Sequence, residues 1–258
     1  MKFRVSIFVC VLAFSAAAPS GRAEGNEADS KFAREGVEAA KRKDWDKAVE
    51  SLRKAVAADP KDNRNSVNLA LALQERGVAR VQKNKLDEGI ADLSESLKMK
   101  GDNTTAHRFR GYALLTKRDY EHAVEDYNAV IAQNDKDIEA LDRRAYAFTA
   151  LKQYDKAVGD YTAMIKDKPK EIRGYLGRSY VLDTMNQPKP AMDDVNKALE
   201  LDPKNEVALT RKKRLEAVMK AAAAPGAAPA AGSPSPLKPP PPAGAAPAAP
   251  AAASPHVS

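Results

Sequence analysis

RGYALLTKRDYEHAVEDYNAVIAQND, residues 110–135, is the stretch of sequence that decides the fold. It returns in altered form as RAYAFTALKQYDKAVGDYTAMIKDKP from Arg144 and as RSYVLDTMNQPKPAMDDVNKALELDP from Arg178, so that the period is 34 residues. The same step separates three alanines, Ala123, Ala157 and Ala191. A fixed period of this size predicts a protein built from stacked pairs of helices.

Each of five such units carries one small residue in its first predicted helix and another twelve residues later. The five pairs are Gly36 and Ala48, Gly77 and Gly89, Gly111 and Ala123, Ala145 and Ala157, and Ser179 and Ala191. Two antiparallel helices that cross closely leave room only for Gly, Ala or Ser at the crossing. With these pairs the chain resembles the tetratricopeptide-repeat family from about Asp29 to Ala221. The resemblance implies an all-α, right-handed superhelical solenoid of about five helix hairpins plus a C-terminal capping helix, with the first helices lining a concave groove.

The repeats divide the chain into predicted segments. They run near 29–62, 63–103, 104–137, 138–171 and 172–204, with a cap helix at 205–221. The second repeat is seven residues longer than the period, or about two helical turns. Either its first helix begins early, near Asn65 or Ser66, or a longer loop precedes it.

The predicted cap helix has an apolar side and a basic cluster. Val207, Leu209, Leu215 and Val218 share one side, and the run from Arg211 to Arg214 lies elsewhere. Terminal repeats need a polar outer face, so the helix is predicted to cover the end of the array and to present a polar surface to solvent. A contact patch for a partner is the alternative for the basic run.

Residues 1–23 have the organisation of a secretory signal peptide. A basic start precedes the apolar run 5–18, which is short for a bilayer span, and Gly21-Arg22-Ala23 suits a signal peptidase. An uncleaved N-terminal anchor is the alternative. Cleavage predicts a periplasmic or secreted protein, with 24–28 as a short linker, and removes three basic residues from a formal net charge of +7. It also removes Cys10, the only cysteine, so no disulfide is expected.

Residues 222–258 are almost wholly Ala, Pro, Gly and Ser. This composition buries too little apolar surface to fold, which predicts a disordered tail with extended polyproline stretches. The tail would serve as a spacer or as a docking site for another protein.

The sequence offers no arrangement typical of catalysis or of cofactor or metal binding. Glycine-rich phosphate loops and nucleophile elbows are absent, and the three histidines, His107, His122 and His256, are dispersed without ligand spacing. No enzyme activity, cofactor or metal is therefore predicted. The mild, interspersed positive charge gives no reason to expect a nucleic-acid partner.

Two charged columns follow the period. The first holds Arg76, Arg110, Arg144 and Arg178, and the second holds Asp92, Asp126, Asp160 and Asp194. They predict structural Arg–carboxylate pairs between helices, because a bidentate pair suits a fixed crossing. Spacing leaves open whether each arginine meets the aspartate of its own repeat or of the one before.

A column of tyrosines also follows the period, and each tyrosine comes directly after the small residue of its first helix. Tyr112, Tyr146 and Tyr180 would point into the groove that the resemblance implies, or pack against the adjacent helix. Residues predicted on the same face are Gln74, Arg108, Asp142, Leu176 and Arg211. Tyrosine suits recognition because it offers a large contact area with few rotamers. The predicted function is therefore an exported scaffold that binds proteins or peptides, and the alternative is a spacer of the cell envelope that uses the tail for reach.

Overall fold

The computed structural model describes residues 27–222, and side chains from residue 31 onward. These residues form eleven α-helices and no strand, an all-α helical-repeat solenoid. The helices are α1 (Glu27–Lys41), α2 (Trp45–Ala58), α3 (Asn63–Gln82), α4 (Leu86–Met99), α5 (Thr104–Thr116), α6 (Tyr120–Gln133), α7 (Ile138–Ala150), α8 (Tyr154–Asp167), α9 (Ile172–Thr184), α10 (Pro188–Leu201) and α11 (Glu206–Ala222). None of them is both long enough and apolar enough to cross a lipid bilayer. The predicted signal peptide, linker and most of the predicted tail lie outside the described residues.

The chain divides into two compact units, and the boundary falls inside α3, between Arg76 and Gly77. The first unit has its own apolar cluster, in which Leu52 of α2 and Leu73 of α3 are fully buried and Trp45 packs at the edge. The second unit contains the remaining helices, with one apolar cluster after another along the hairpins.

The seven extra residues of the second repeat are helical. They lengthen α3 to 20 residues, whereas the other first helices of the five repeats have 13 to 15. The helix begins at Asn63, two or three residues earlier than the sequence predicts, and no longer loop precedes it.

Every hairpin turns through one residue with a left-handed backbone. In the α5–α6 turn Arg118 has φ 64°, its N–H donates to the carbonyl of Leu115 (3.0 Å), and the N–H of Asp119 donates to the carbonyl of Leu114 (2.9 Å). These two bonds satisfy carbonyls at the end of the first helix. The side chain of Asp119 then accepts from the N–H of His122 and caps the second helix. The other left-handed turn residues are Lys43, Asn84, Lys152 and Asn186.

Two helices of a hairpin approach closely where the sequence places small residues. A Cβ on Gly111 of α5 would lie 3.1 Å from the Cβ of Asp126 and from the ring of Tyr127, and Ala123 is fully buried. In the second hairpin, a Cβ on Gly77 would lie 2.7 Å from the Leu93 Cγ. A larger side chain at these positions would push the helices apart.

In the second unit the first helices also contact one another. Apart from the contacts within and between successive hairpins, α5 contacts α7 and α7 contacts α9. No comparable contact joins α6, α8 and α10 to one another within residues 77–222. The first helices therefore form the inner layer of this unit. We call the surface of α5, α7, α9 and α11 the inner face.

Helix α11 closes the second unit, but with a packed side that differs in part from the predicted one. Ala208, Arg211 and Leu215 are buried against the preceding hairpin, whereas Val207 and Leu209 are 47% and 40% exposed. Of the predicted apolar side, Leu215 is fully buried and Val218 partly buried, whereas Val207 and Leu209 are exposed because the packed side runs instead through Ala208 and the stem of Arg211. Lys213 occupies the repeat position of Gly111, Ala145 and Ser179. The side of α11 that carries it is exposed and polar, as expected for a cap.

A close contact between hairpins involves Gly177 of α9. A Cβ built on Gly177 would lie only 2.2 Å from Cε1 of Tyr161 in α8, and the Tyr161 side chain is buried. A Cβ on Gly159, in the middle of α8, would meet nothing within 4 Å.

We therefore expect Gly177→Ala and Gly159→Ala to have opposite effects. Gly177→Ala displaces a buried ring and should lower the free energy of unfolding by about 1–3 kcal/mol. Gly159→Ala should raise it by about 0.5–1 kcal/mol, because alanine loses less backbone entropy in a helix. Chemical denaturation followed by circular dichroism measures both. Equal effects of the two substitutions would contradict the close packing at Gly177.

Candidate protein-binding face

Each of three arginines in the second unit joins three helices. Arg144 of α7 donates from Nε and Nη2 to the two carboxylate oxygens of Asp160 in α8, at 2.9 and 2.7 Å. Its Nη1 donates to Oδ1 of Asn128 in α6 at 2.7 Å. The same arrangement joins Arg110 to Asp126 and Ser94, and Arg178 to Asp194 and Thr162. The arginine thus meets the aspartate of its own repeat, and its third nitrogen reaches the second helix of the repeat before.

The columns also have contacts outside this pattern. Arg76 donates to Asp46 at 3.3 Å, within the first unit, and Asp92 accepts from Arg80 at 2.8 Å, within the second. A pairing of Arg76 with Asp92 stays a prediction. Asp126 has a further partner in the third repeat, since Nδ1 of His107 lies 2.7 Å from its Oδ1.

Neighbouring first helices contact each other in a constant register along the inner face. Four of the observed contacts join a residue to the one 31 positions later. The pairs are Arg108 with Glu139 (3.8 Å), Tyr112 with Arg143 (5.9 Å from ring centroid to Cζ), Asp142 with Arg173 (3.6 Å) and Tyr180 with Arg211 (5.4 Å from ring centroid to Cζ). The register places Gly177 opposite Tyr146.

Arginines of the following repeat cover two of the three predicted tyrosines. Arg143 and Arg211, each only 6% exposed, lie over the rings of Tyr112 and Tyr180. Arg211 also donates to the Leu176 carbonyl (2.5 Å) and to Oγ of Ser179 (2.7 Å), and burial lowers its pKa. Tyr112 and Tyr180 thus pack against the adjacent first helix and are partly exposed, and their use as a lining of a binding groove stays a prediction.

Tyr146 has a different environment. Its ring meets Tyr120 edge to face, with the centroids 6.1 Å apart, and it too is half-exposed. Burial, followed by the neighbouring Tyr120, raises the pKa of Tyr146 to about 12. Among the described residues no arginine or lysine lies over this ring.

Ion pairs within the inner face neutralise much of its charge. Arg108 donates to both carboxylate oxygens of Asp137, at 3.2 and 2.5 Å, and the bond raises the pKa of Arg108. Burial acts to raise the pKa of Asp137, but hydrogen bonds from Arg108 and from backbone N–H groups outweigh it and the pKa is lowered. These groups hold α5 to the start of α7 rather than reaching into solvent.

Two carboxylates of the inner face, those of Asp142 and Asp183, have fewer stabilising partners than Asp137. Asp142 is 7% exposed, and its contact with Arg173 at 3.6 Å is an ion pair without a hydrogen bond. Burial raises the pKa of Asp142, although Arg173 and Arg143 partly offset it. Burial likewise raises the pKa of Asp183, which faces Nε of Arg214 at 3.2 Å.

The remaining residues predicted on this face, Gln74 and Leu176, are buried or half-buried. Gln74 belongs to the first unit, is buried and donates to Glu75 at 2.8 Å. Leu176 is half-buried. Arg143, Arg173 and Gly177 were not predicted from the sequence. Arg143 and Arg211 stand at twice the 34-residue period, with Gly177 midway, and this spacing was the available signal. Between residues 27 and 222 no group of three potential metal ligands comes together.

Two family models, both described as tetratricopeptide repeat, match the chain. One matches residues 75–138 and again 113–172, and the other matches 172–205. The chain belongs to the tetratricopeptide-repeat family. Among curated protein sequences no match was found.

Solved structures with the same fold are numerous. YrrB, a tetratricopeptide-repeat protein "with an unusual peptide-binding site", aligns with a TM-score of 0.57 and 16% identity, over 73% of this chain and 94% of its own. A repeat protein from Parabacteroides merdae aligns at 0.54 and 19%, over 76% and 75%. MamA from Desulfovibrio magneticus aligns at 0.51 and 16%, over 71% and 99%. At identities below 20%, these structural alignments show a common fold and no more. In this family the fold is that of a protein-interaction scaffold.

Asp142 and Asp160 should respond to amide substitution in opposite ways. Because the pKa of Asp142 is raised on folding, the stability that it contributes is fully present only below its unfolded pKa and is lost as the pH rises through the folded pKa. Asp142→Asn should therefore stabilise the protein at neutral pH, and its advantage should shrink in acid.

Asp160→Asn is the matched control, and it should cost about 2–3 kcal/mol at neutral pH because Arg144 loses an ionised, bidentate partner. Denaturant titrations of both variants between pH 4 and pH 7 measure the difference. A destabilised Asp142→Asn variant at pH 7 would contradict the assignment of Asp142 as a poorly held carboxylate.

Proposed function

We propose that this protein is an exported scaffold that holds an extended peptide segment, or a helix, of a partner protein on the inner face of its second unit. The observation that carries the proposal is the row of three half-exposed tyrosines, one on each of α5, α7 and α9. They recur with the period of the repeat, so their spacing suits a ligand that runs along the stack.

The neighbouring contacts support this use of the tyrosines. Arg143 and Arg211 lie against Tyr112 and Tyr180 and fix the rings, so that little side-chain entropy remains to be lost on binding. Rigid aromatic side chains with a polar tip are frequent at the energetic centre of protein interfaces. The peptide-binding site named for YrrB shows that a repeat protein of similar fold binds peptides, and we extend that capacity to this chain.

Replacing Tyr112, Tyr146 and Tyr180 together by Ala tests the proposal. We expect the triple variant to lose the partners that cross-link to and co-purify with the wild-type protein from native cell envelopes, since it loses the contact area of all three rings. Circular dichroism checks that the helices remain. If the triple variant unfolds, the three single Tyr→Ser variants replace it, each with an expected loss of about tenfold in capture.

The matched control removes three exposed side chains at one repeat position on the second helices. Glu121→Ala, Asp155→Ala and Lys189→Ala lie in the same three repeats and away from the inner face. This variant should capture partners as the wild type does. Retention of every partner by the tyrosine variant would refute the proposed binding face.

Export is the second part of the proposal, and it rests on the N-terminal sequence alone. We expect cleavage after Ala23, so that the mature chain begins at Glu24. Mass spectrometry of the N-terminal peptide from the native host measures this directly. An intact Met1 terminus on a membrane-associated chain would instead support an uncleaved anchor.

A further inference from the structure

The inner face repeats an arginine-over-tyrosine contact and omits it once. Tyr112 is covered by Arg143 and Tyr180 by Arg211, each from the residue 31 positions later. The residue at that place opposite Tyr146 is Gly177. The middle tyrosine of the row therefore receives no side chain from α9 at the position from which both its neighbours receive a guanidinium.

The omission is built into the packing. The ring of Tyr161 occupies the space that a Cβ on residue 177 would need, at 2.2 Å from Cε1. An arginine on α9 cannot fill this place without displacing a buried tyrosine. No arginine or lysine of the described chain lies over Tyr146, and the position from which α9 could supply one is closed.

A carboxylate that accepts no hydrogen bond from the described chain lies one helical turn before Tyr146. Asp142 precedes Tyr146 by four residues on α7, so both lie on one side of that helix. Its side chain is more than nine-tenths buried, yet no group of the described chain donates a hydrogen bond to it, and its ion pair with Arg173 is 3.6 Å long. Neither carboxylate oxygen of Asp142 is among the fully enclosed atoms that lack a hydrogen-bond partner, so a donor from outside the chain can reach it.

We propose that the middle of the inner face binds an arginine side chain of the partner's segment, with its guanidinium over Tyr146 and its N–H groups directed at Asp142. This inference rests on the proposed function and specifies its ligand. Arginine fits better than lysine because its planar head stacks on an aromatic ring and presents a fork of donors to one carboxylate. The partner would supply in trans the group that Arg143 and Arg211 supply in cis to the flanking tyrosines.

The probe for this proposal is a displayed library of random decapeptides, selected on the full-length protein. We expect the bound peptides to be enriched in arginine at one position. The best peptide is then synthesised with arginine and with citrulline, its neutral and nearly isosteric analogue, at that position. Isothermal titration calorimetry should give about tenfold weaker binding for the citrulline peptide.

Three variants locate the arginine. Tyr146→Leu and Asp142→Asn should bring the arginine-to-citrulline affinity ratio close to one. Tyr112→Leu is the matched control, because its ring is already covered by Arg143. It should weaken both peptides equally and leave the ratio unchanged. Circular dichroism confirms that each variant folds.

The outcomes separate this inference from the proposed function. Peptides that bind the wild type but not the triple tyrosine variant, and that show no arginine preference or an equal preference for lysine, would overturn the arginine site and leave the scaffold proposal standing. A preference for arginine that survives both Tyr146→Leu and Asp142→Asn would also overturn it. A library that yields no peptide dependent on the tyrosines would remove both proposals together.

Discussion

The bidentate contact between an arginine of each first helix and an aspartate of its second helix is the interaction on which the second unit depends. The guanidinium has a third nitrogen, and in the hairpins of Arg110, Arg144 and Arg178 this nitrogen reaches back to the preceding second helix. One side chain thus sets the angle within a hairpin and its position on the previous hairpin. Because the contact recurs every 34 residues, neighbouring first helices meet in the constant 31-residue register. That register decides which side chain covers which tyrosine, so the chemistry of the inner face follows from a contact made on its far side.

The residue types that recur in every repeat could be predicted from the sequence, whereas the contacts between repeats could not. The small residues at the crossing and the columns of arginine, aspartate and tyrosine are visible as letters that recur. Asp126, however, lies close in sequence to both Arg110 and Arg144, and only the packed helices decide between the two. The cover of Tyr112 by Arg143 depends on how two hairpins are placed, which no spacing within one repeat specifies. Hydrophobicity alone predicted only part of the packed side of α11: Leu215 is buried as expected, but the stem of Arg211 is also buried, beside Tyr180, although its head is charged.

The inner face contains many charged side chains, but most of them are held by partners within the protein. Arg108 is held by Asp137, Arg143 covers a ring, and Arg211 is bonded to a carbonyl and a hydroxyl. Such groups are poor sources of affinity for a partner, since capturing them would first break bonds within the protein. The groups that remain are those that the repeat satisfies incompletely, chiefly the ring of Tyr146 and the carboxylate of Asp142. Specificity in a repeat array of this kind arises where the pattern is interrupted, because the regular positions satisfy one another.

The lysine on the outer side of α11 has a consequence for assembly. Repeat arrays can in principle join end to end, because the side of the last helix that would pack against a second helix is open to a helix of another copy, and such head-to-tail contacts produce open filaments. Lys213 stands where the earlier repeats have Gly111, Ala145 and Ser179, and it is exposed. Docking another helix there would require the dehydration of an ammonium group at the point of closest approach, which costs several kcal/mol. A lysine at the small position of α11 therefore disfavours the docking of a further helix at this place.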